Sequence, residues 1–487
     1  MFLASRLVAL LKRMGVDRAI AYTVMTRGWS ILVGPLTIYF LVRFFSPEEQ
    51  GIYYTFASIL GLQVFFELGL GFVILNFAAH EKSGLEWTPA GTLEGEAAAK
   101  SRLASLLQKA LIWYGAVTLA VILVVLPVGL IFFARYVPQT SLVNWRWPWV
   151  CLIVATAFSL FLSPLLALVE GCGRVTEITL LQFRQTAIGT LAFWLALAVG
   201  GKLFASSVQT IASFLFAMGW LLRTKKPFLV DLLRFKVGQA SIHWRREVWP
   251  FQWKIALSWL SGYFMLQLFN PILLAYHGAA AAGQMGMSMS LAGAMWSLAV
   301  AWVSTKTAPF GTLVAQKRFD ELDRIFFPAL WQSLILVAAG GTILWVSALF
   351  LHLSGHRWSH RLLDPLPLGL LVLSCAVSHI ITAQANYLRA HKEEPFLFVW
   401  LISGALIALT TYFLGRPFAS TGIMAGYLVI LTLSLIPSTW IFQSKRRLWH
   451  GATASRPLEP TPDDRSTRPP LAEPLPVPLS PTRHDDA

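Results

Sequence analysis

A single carboxylate lies deep inside an apolar stretch that is long enough to cross a bilayer. The stretch is Gly51–Phe77, and Glu67 is its one charged residue. A spanning helix needs about 20 apolar residues, and a charge at that depth costs about 3 kcal/mol or more unless it meets a partner or a wet cavity. At about 3.6 residues per turn, Gln63 and Gly71 share a helix face with Glu67. We therefore expect this polar face to point into protein and away from lipid.

Four cations also lie in apolar stretches, namely Arg27, Arg184, Lys254 and Lys306. Guanidinium and ammonium groups in a low-dielectric cavity suit phosphate or pyrophosphate. We expect these cations, together with Gln63, to form a site for an anionic substrate. The alternative is that each cation extends to the membrane surface, and this alternative is weakest for Arg27, which lies deepest.

Two roles are open for Glu67. It can be the counter-ion of Arg27, because a buried charge is stabilised by an opposite charge. It can also be a protonation switch that couples transport to an ion. The sequence favours the ion pair, because Arg27 lies in the apolar stretch that directly precedes Gly51–Phe77.

The composition shows what kind of fold must position these groups. The chain has 487 residues, of which 56% are hydrophobic and 13% charged, and its mean hydropathy is +0.61. These values are typical of a polytopic membrane protein. Runs of spanning length predict an all-α fold with about twelve transmembrane helices. The runs lie near residues 19–45, 51–77, 105–133, 147–169, 178–200, 203–222, 251–276, 283–309, 325–351, 366–388, 396–414 and 421–442.

The net charge is +15, and the uneven distribution of the basic residues between loops indicates the membrane topology. Most Lys and Arg residues fall in the loops on the side that holds both termini, which places both termini in the cytoplasm. Such loops also favour contact with anionic lipids of the inner leaflet. A nucleic-acid partner is not expected, because no basic stripe is interleaved with exposed aromatic residues.

The order of apolar and basic segments predicts five regions. Residues 1–16 form an interfacial helix, and residues 17–222 form a six-helix bundle. Residues 223–249 are a basic, amphipathic cytoplasmic linker. Residues 250–447 form a second six-helix bundle, and residues 448–487 form a Pro-rich, disordered cytoplasmic tail.

The second half of the chain resembles the first. The turn before Gly51 matches the turn before Gly283 in length and position, and the same alignment pairs Ser58 with Ser290. Internal repeats of this kind are typical of transporters. The charged residues are not repeated, since Glu67 aligns with Ala299, so we expect an asymmetric cavity.

No catalytic or metal-binding pattern is present in the sequence. Cys151, Cys172 and Cys375 are not at ligand spacing, and the histidines at residues 352–360 lack acidic or cysteine companions. There is no nucleophile–base arrangement and no phosphate-binding loop. We therefore expect neither an enzyme nor a cofactor nor a metal.

Three segments carry a resemblance to a known family. They are Arg43–Tyr54 (RFFSPEEQGIYY), Phe66–Gly71 (FELGLG) and the tight turn Leu168–Arg174. The chain resembles the polysaccharide-biosynthesis (O-antigen and exopolysaccharide) flippases of the multidrug/oligosaccharidyl-lipid/polysaccharide (MOP) exporter superfamily. It departs from their pattern at Gln50, where the family turn has an aromatic residue, and at Glu67, where it has aspartate.

The resemblance implies a flippase in the bacterial cytoplasmic (inner) membrane. Such a protein moves a polyprenyl-pyrophosphate-linked oligosaccharide from the inner to the outer leaflet by alternating access. It also implies polysaccharide polymerases or glycosyltransferases as partners. Two alternatives remain: a drug or metabolite cation antiporter of the same superfamily, and a non-transporting scaffold of polysaccharide assembly.

The predicted topology can be tested by labelling. A cysteine at Lys226 should be protected from a membrane-impermeant thiol reagent in intact cells, because residues 223–249 are placed in the cytoplasm. It should react once the cells are permeabilised. Reaction in intact cells would overturn the topology.

Overall fold

The computed structural model describes residue 29, residues 33–391 and residues 395–454. Almost all of this part of the chain is helical, and the predicted all-α membrane fold is confirmed. The helices are Val33–Phe44, Pro47–Leu60, Val64–Glu67, Leu70–Glu81, Ala97–Ala120, Leu126–Tyr136, Arg146–Gly171, Val175–Ala198, Phe204–Thr224, Lys226–Arg234, Trp249–Leu266, Phe269–Ser304, Thr307–Ala315, Phe319–Leu353, Pro365–Ala390 and Leu397–Ala454. Short 3₁₀ or π turns lie at Gly61–Gln63, Lys82–Gly84, Val121–Val125, Trp244–Val248 and Ser359–Arg361.

Two very long helical segments must each cross the membrane twice. Ile255–Ala315 and Leu397–Trp449 contain 61 and 53 residues, whereas about 20 residues cross a bilayer. Each is broken by one residue with positive φ, Gly278 (φ 85°) in the first and Ala419 (φ 49°) in the second. Each segment therefore supplies two spans.

The other spans complete the predicted number. Seven helices in the described part of the chain are long and apolar enough to cross a bilayer, and the bent pair Pro47–Glu67 and Leu70–Gly84 makes one more span. Val33–Phe44 is a shorter apolar helix, and Val175–Ala198 has 24 residues. With the two long segments divided, these helices give twelve spans, numbered here in chain order.

The second and eighth spans cross at two glycines that are paired in the sequence repeat. A methyl group on Gly51 would overlap the carbonyl of Ala279, and one on Gly283 would lie 3.0 Å from the carbonyl of Pro47. Pro47 and Ala279 are themselves equivalent in the repeat. Each span thus presents the same surface to the other, as in a contact across a two-fold axis.

The hydrophobic core joins the two halves most extensively at one end of the bundle. This end holds the Ser46 turn between spans 1 and 2, and we call it the turn end. There, residues of both halves share one cluster, which includes Ile52 and Phe56 from the first half and Phe269 and Met285 from the second. At the opposite end the buried residues of a second cluster come from the first half and the linker, and Ile255 of span 7 packs against it. Contact between the halves is therefore extensive at the turn end and is made by span 7 at the other.

The connection after span 2 contains a small β-hairpin. Leu85–Trp87 pairs antiparallel with Leu93–Gly95. The Trp87 ring lies under the guanidinium of Arg174, 4.5 Å from the ring centre, and its indole N–H donates to the carbonyl of Cys172 at 2.9 Å. We call this end of the bundle the hairpin end.

The linker is fixed to the first half by its acidic residues. Asp231 pairs with Lys100 at 2.9 Å, and Glu247 pairs with Arg102 at 2.6 Å. The hydrogen bond from Arg102 holds the pKa of Glu247 below its usual range. The contribution of the Glu247–Arg102 ion pair to the attachment of the linker is therefore present at neutral pH. It is lost as the pH falls through the lowered pKa of Glu247.

The apolar face of the linker helix is turned towards protein. Phe228 and Leu232 are fully buried, and Phe228 packs on Trp87 with ring centres 4.9 Å apart. The apolar face of the amphipathic linker is thus used in the core of the first half.

The boundaries predicted for the two six-helix halves remain a prediction. Residues up to Phe442 form one compact unit, and the helix end from Gln443 forms a second.

The glycine crossing yields a stability prediction. Gly51→Ala should lower the melting temperature in detergent by several degrees, because the added methyl group meets backbone that cannot move aside, and overpacking costs about 1–3 kcal/mol. Gly293→Ala is the matched control in span 8, since a methyl group there meets no atom within 4 Å. Equal melting temperatures for the two variants would contradict the crossing.

Candidate functional site: a cleft between the second and eighth spans

Beside the glycine crossing, the facing residues of the second and eighth spans become more exposed towards the hairpin end, which indicates a cleft between the two spans. Positions 283, 286, 290, 293 and 297 form one stripe along span 8, at helical spacing. Gly283 and Gly286 are buried against span 2, whereas Ser290, Gly293 and Ser297 are more open. The same stripe thus changes from contact surface to open wall within about two turns.

The facing side of span 2 changes in the same direction. Tyr54 is buried, its ring covering Gly286, and Ala57 three residues on is exposed. From Gly61 to Leu68 every residue is half-buried. The crossing at Gly51 is therefore the closed floor of the cleft, and the hairpin end is its open side.

Span 2 is broken where it lines the cleft. Leu68 (φ 51°) and Gly69 (φ 66°) both adopt the left-handed conformation, and the helix bends by 45° there. A left-handed leucine is uncommon and costs about 1–3 kcal/mol, so the surrounding packing must hold it. A methyl group on Gly69 would lie 2.5 Å from Ile255 of span 7, which shows how closely that span supports the break. Discontinuous helices at mid-membrane are typical of transporter substrate and ion sites.

Glu67 is the last helical residue before this break, and it points into the first half. The Tyr114 hydroxyl in span 3 donates to its carboxylate at 3.1 Å. A methyl group on Gly71 would lie 3.6 Å from that carboxylate and 3.8 Å from the Ser163 hydroxyl in span 4. Among the described residues, Tyr114 is the hydrogen-bond partner of Glu67. Neither Tyr114 nor Ser163 was predicted, because an isolated hydroxyl in an apolar run gives no periodic signal.

The predicted cations are not gathered into one group in the described structure. Arg27 lies outside the described residues. Lys254 lies in the helix Trp249–Leu266, next to the residue that supports the break in span 2, but its side chain is outside the described part. Lys306 is exposed, just beyond the end of span 8.

Arg184 and Gln63 have different surroundings. Arg184 shares a helix face with Leu191 and Leu195, whose side chains are largely exposed. An exposed face that carries leucines is the kind that contacts lipid, so the surface-seeking alternative fits Arg184 better than the substrate site. Gln63 lies in the 3₁₀ turn before Glu67, and its buried carbonyl oxygen has no hydrogen-bond partner among the described residues.

The same part of the chain offers no arrangement for a metal. Within the described residues, no group of three or more His, Cys, Asp or Glu side chains is placed to hold an ion. The described residues beside the cleft offer hydrogen bonding and charge. These groups are hydroxyls, an amide and the carboxylate on the bent helix.

The fold is similar to those of solved transporters, among them one described as a member of the MOP superfamily. The chain is similar to a structure described as the lipid II flippase MurJ in an inward closed conformation, with a TM-score of 0.61 and 12% identity over 89% of this chain and 91% of that one. It is also similar to an inward-facing multidrug resistance MATE transporter of the MOP superfamily, with a TM-score of 0.53 and 13% identity over 88% and 100%. A mutant of the Vibrio cholerae MATE transporter VcmN gives a TM-score of 0.51 and 15% identity over 88% and 97%.

At these identities the likeness establishes the fold alone. No protein-family model matches the sequence, and no curated protein matches it either.

The hydrogen bond to Glu67 can be tested by removing one hydroxyl. Tyr114→Phe should lower the melting temperature, because a hydrogen bond to an ionised carboxylate contributes about 1.5–3 kcal/mol and one to a neutral group about 0.5–1.5 kcal/mol. Tyr263→Phe is the control, since the Tyr263 hydroxyl makes no hydrogen bond within the described residues while its ring packs on Phe65 at 5.2 Å. If both variants melt together, the bond contributes nothing to stability.

Proposed function

We propose that this protein is an alternating-access flippase that moves a polyprenyl-pyrophosphate-linked oligosaccharide across the bacterial cytoplasmic membrane. The observation that carries the proposal is the cleft. It lies between two halves that share one core at the turn end, whereas the buried core of the first half at the hairpin end includes the linker and is met by Ile255 of span 7. A protein built in this way can exchange one closed end for the other by rocking its halves.

The distribution of charge favours an anionic substrate. In the described spans, Glu67 is the carboxylate that lies near the middle of a span, and it is directed into the first half. An exporter of cations needs carboxylates in its cavity to receive them. Lys254 and Lys306, with Arg27, are the cations proposed to meet the pyrophosphate.

The class of substrate rests on two independent similarities. The sequence resembles polysaccharide flippases in the turn before span 2 and in the run around Glu67. The fold resembles a flippase whose substrate, lipid II, is a lipid-linked saccharide. Both similarities point to a lipid that carries sugars on its headgroup, with the lipid tail remaining in the bilayer while the headgroup passes through the cleft.

The proposed orientation follows from the basic loops. With both termini in the cytoplasm, the hairpin end faces the inner leaflet, where the lipid-linked substrate is made and where the cleft is open. Anionic inner-leaflet lipids would contact the exposed basic residues of the linker. Polysaccharide polymerases or glycosyltransferases would act on either side of this step.

Complementation tests the proposal. In a strain that lacks this gene, the triple variant Arg27→Ala, Lys254→Ala, Lys306→Ala should restore less than about a tenth of the surface polysaccharide given by the wild type, at equal protein level on a blot. The charge-preserving change Lys254→Arg should retain function, and Arg27→Lys should be partly impaired because lysine lacks the bidentate fork. Lys236→Ala, which removes a linker cation, is the control and should complement fully.

The outcome also separates the alternatives. Full surface polysaccharide from a stably expressed triple variant would remove the proposed cation role and favour a scaffold. Loss of resistance to a cationic drug, with polysaccharide unchanged in the deletion strain, would favour the antiporter. The similarity to MATE transporters is the observation that keeps this second candidate.

A further inference from the structure

The turn end is closed by hydrogen bonds as well as by the glycine crossing. Arg361 follows span 9 in the second half, and its guanidinium reaches across to the first half. It donates to the carbonyl of Phe45 at 2.6 Å, to the carbonyl of Val42 at 3.4 Å and to the side-chain oxygen of Gln50 at 3.2 Å. All three acceptors lie where span 1 ends and span 2 begins.

Helix chemistry explains why a cation binds there. The helix Val33–Phe44 ends at this point, and the last carbonyls of a helix have no partner within the helix. They also carry the negative end of the helix dipole, which favours a positive group. Arg361 therefore caps a helix of the opposite half of the molecule.

Gln50 completes the contact in the other direction. Its side-chain N–H donates to the carbonyl of Gly283 at 2.8 Å and to the carbonyl of Arg361 at 3.2 Å, and the residue is 1% exposed. Its amide thus accepts from the second half through oxygen and donates to it through nitrogen. A buried amide without hydrogen-bond partners is unfavourable, because it has lost its contacts with water. The bonds that Gln50 makes with the second half compensate for its burial, and they exist only while the two halves are together.

The second half holds its side of the contact in place. The backbone N–H of Leu363 donates to the Ser288 hydroxyl at 2.9 Å, and the Gln284 amide donates to the carbonyl of His360 at 3.2 Å. These two bonds fix the segment that carries Arg361 onto span 8. They lie within the second half and do not depend on the first.

We propose that Gln50 and Arg361 form a latch that keeps the turn end closed, and that the protein must break it to open that end. The inference rests on the proposed alternating-access function, and it concerns a feature of this chain rather than of the fold. Gln50 lies where the turn of the resembling flippases has an aromatic residue. The amide of Gln50 carries its acceptor oxygen and its donor nitrogen on separate atoms, which phenylalanine and tyrosine do not.

The latch can be tested in purified protein in lipid nanodiscs, without a substrate and without reference to orientation. Ser58→Cys is the reporter, because Ser58 is 2% exposed and accepts a hydrogen bond from Asn270 of the second half at 3.1 Å. The rate at which this cysteine reacts with a maleimide reports separation of the halves. The native cysteines are kept, and their reaction rate, measured in the protein without the reporter, is subtracted. Adding Gln50→Ala should raise this rate at least about threefold. Arg361→Ala should do the same.

The control is Ser207→Ala. It removes a buried hydroxyl at the same end of the molecule, but one that donates to the carbonyl of Pro148 at 3.1 Å within the first half, so the reporter rate should not change. The double variant Gln50→Ala, Arg361→Ala should react about as fast as either single variant, since both residues belong to one contact. All variants are first compared by gel filtration to select folded protein.

Two results would overturn the latch. One is an unchanged reporter rate in folded Gln50→Ala and Arg361→Ala protein. The other is an equal increase in Ser207→Ala, which would indicate general loosening. This test does not depend on the complementation experiment. If the proposed substrate were wrong but the latch variants still raised the reaction rate of the reporter cysteine, the latch proposal would stand.

Discussion

A close backbone approach between the two halves organises the rest of the molecule. Two helices can touch at this distance only where neither has a side chain, and Gly51 and Gly283 provide that place from equivalent positions of the repeat. On the turn-end side of the crossing, residues of both halves pack into one core. Towards the hairpin end, the residues that follow on both helices become more exposed, such as Ala57 on span 2 and Gly293 on span 8. The glycine crossing thus marks the boundary between the closed end of the bundle and its more open end.

The buried polar groups follow the same division. At the crossing and close to it, polar atoms such as the Gln50 amide and the Ser58 hydroxyl are matched across the two halves. Towards the hairpin end, Glu67 and Tyr114 are matched within the first half. Polar groups matched across an interface resist separation, whereas groups matched within one body move with it. The placement therefore suits a protein whose halves move against each other.

Much of the architecture could be predicted from the sequence. The apolar runs gave the twelve spans, since length and hydropathy decide what can cross a bilayer. The repeat alone was enough to pair Gly51 with Gly283. The order of residues along the chain did not show which distant residues are in contact in the fold. It did not show the break at Leu68, which depends on support from span 7, or the latch, whose two residues are more than three hundred positions apart.

The cations mark the limit of prediction. The sequence could not predict which way the Arg184 side chain points, because a cation in an apolar helix looks the same in sequence whether it faces lipid or a cavity. Arg27, proposed as the partner of Glu67, lies outside the described residues, so that pairing stays a prediction.

The docked linker has a mechanical consequence. Asp231 and Glu247 tie it to the first half, and its apolar face is part of that half's core. In the proposed rocking motion the linker would therefore travel with the first half. The π turn Trp244–Val248 at its end runs directly into the helix Trp249–Leu266 of span 7, with helical backbone at both Val248 and Trp249. Span 7 is also the span that supports the break beside Glu67. The start of the second half is thus anchored to the first, and a relative movement of the halves has to be accommodated along span 7.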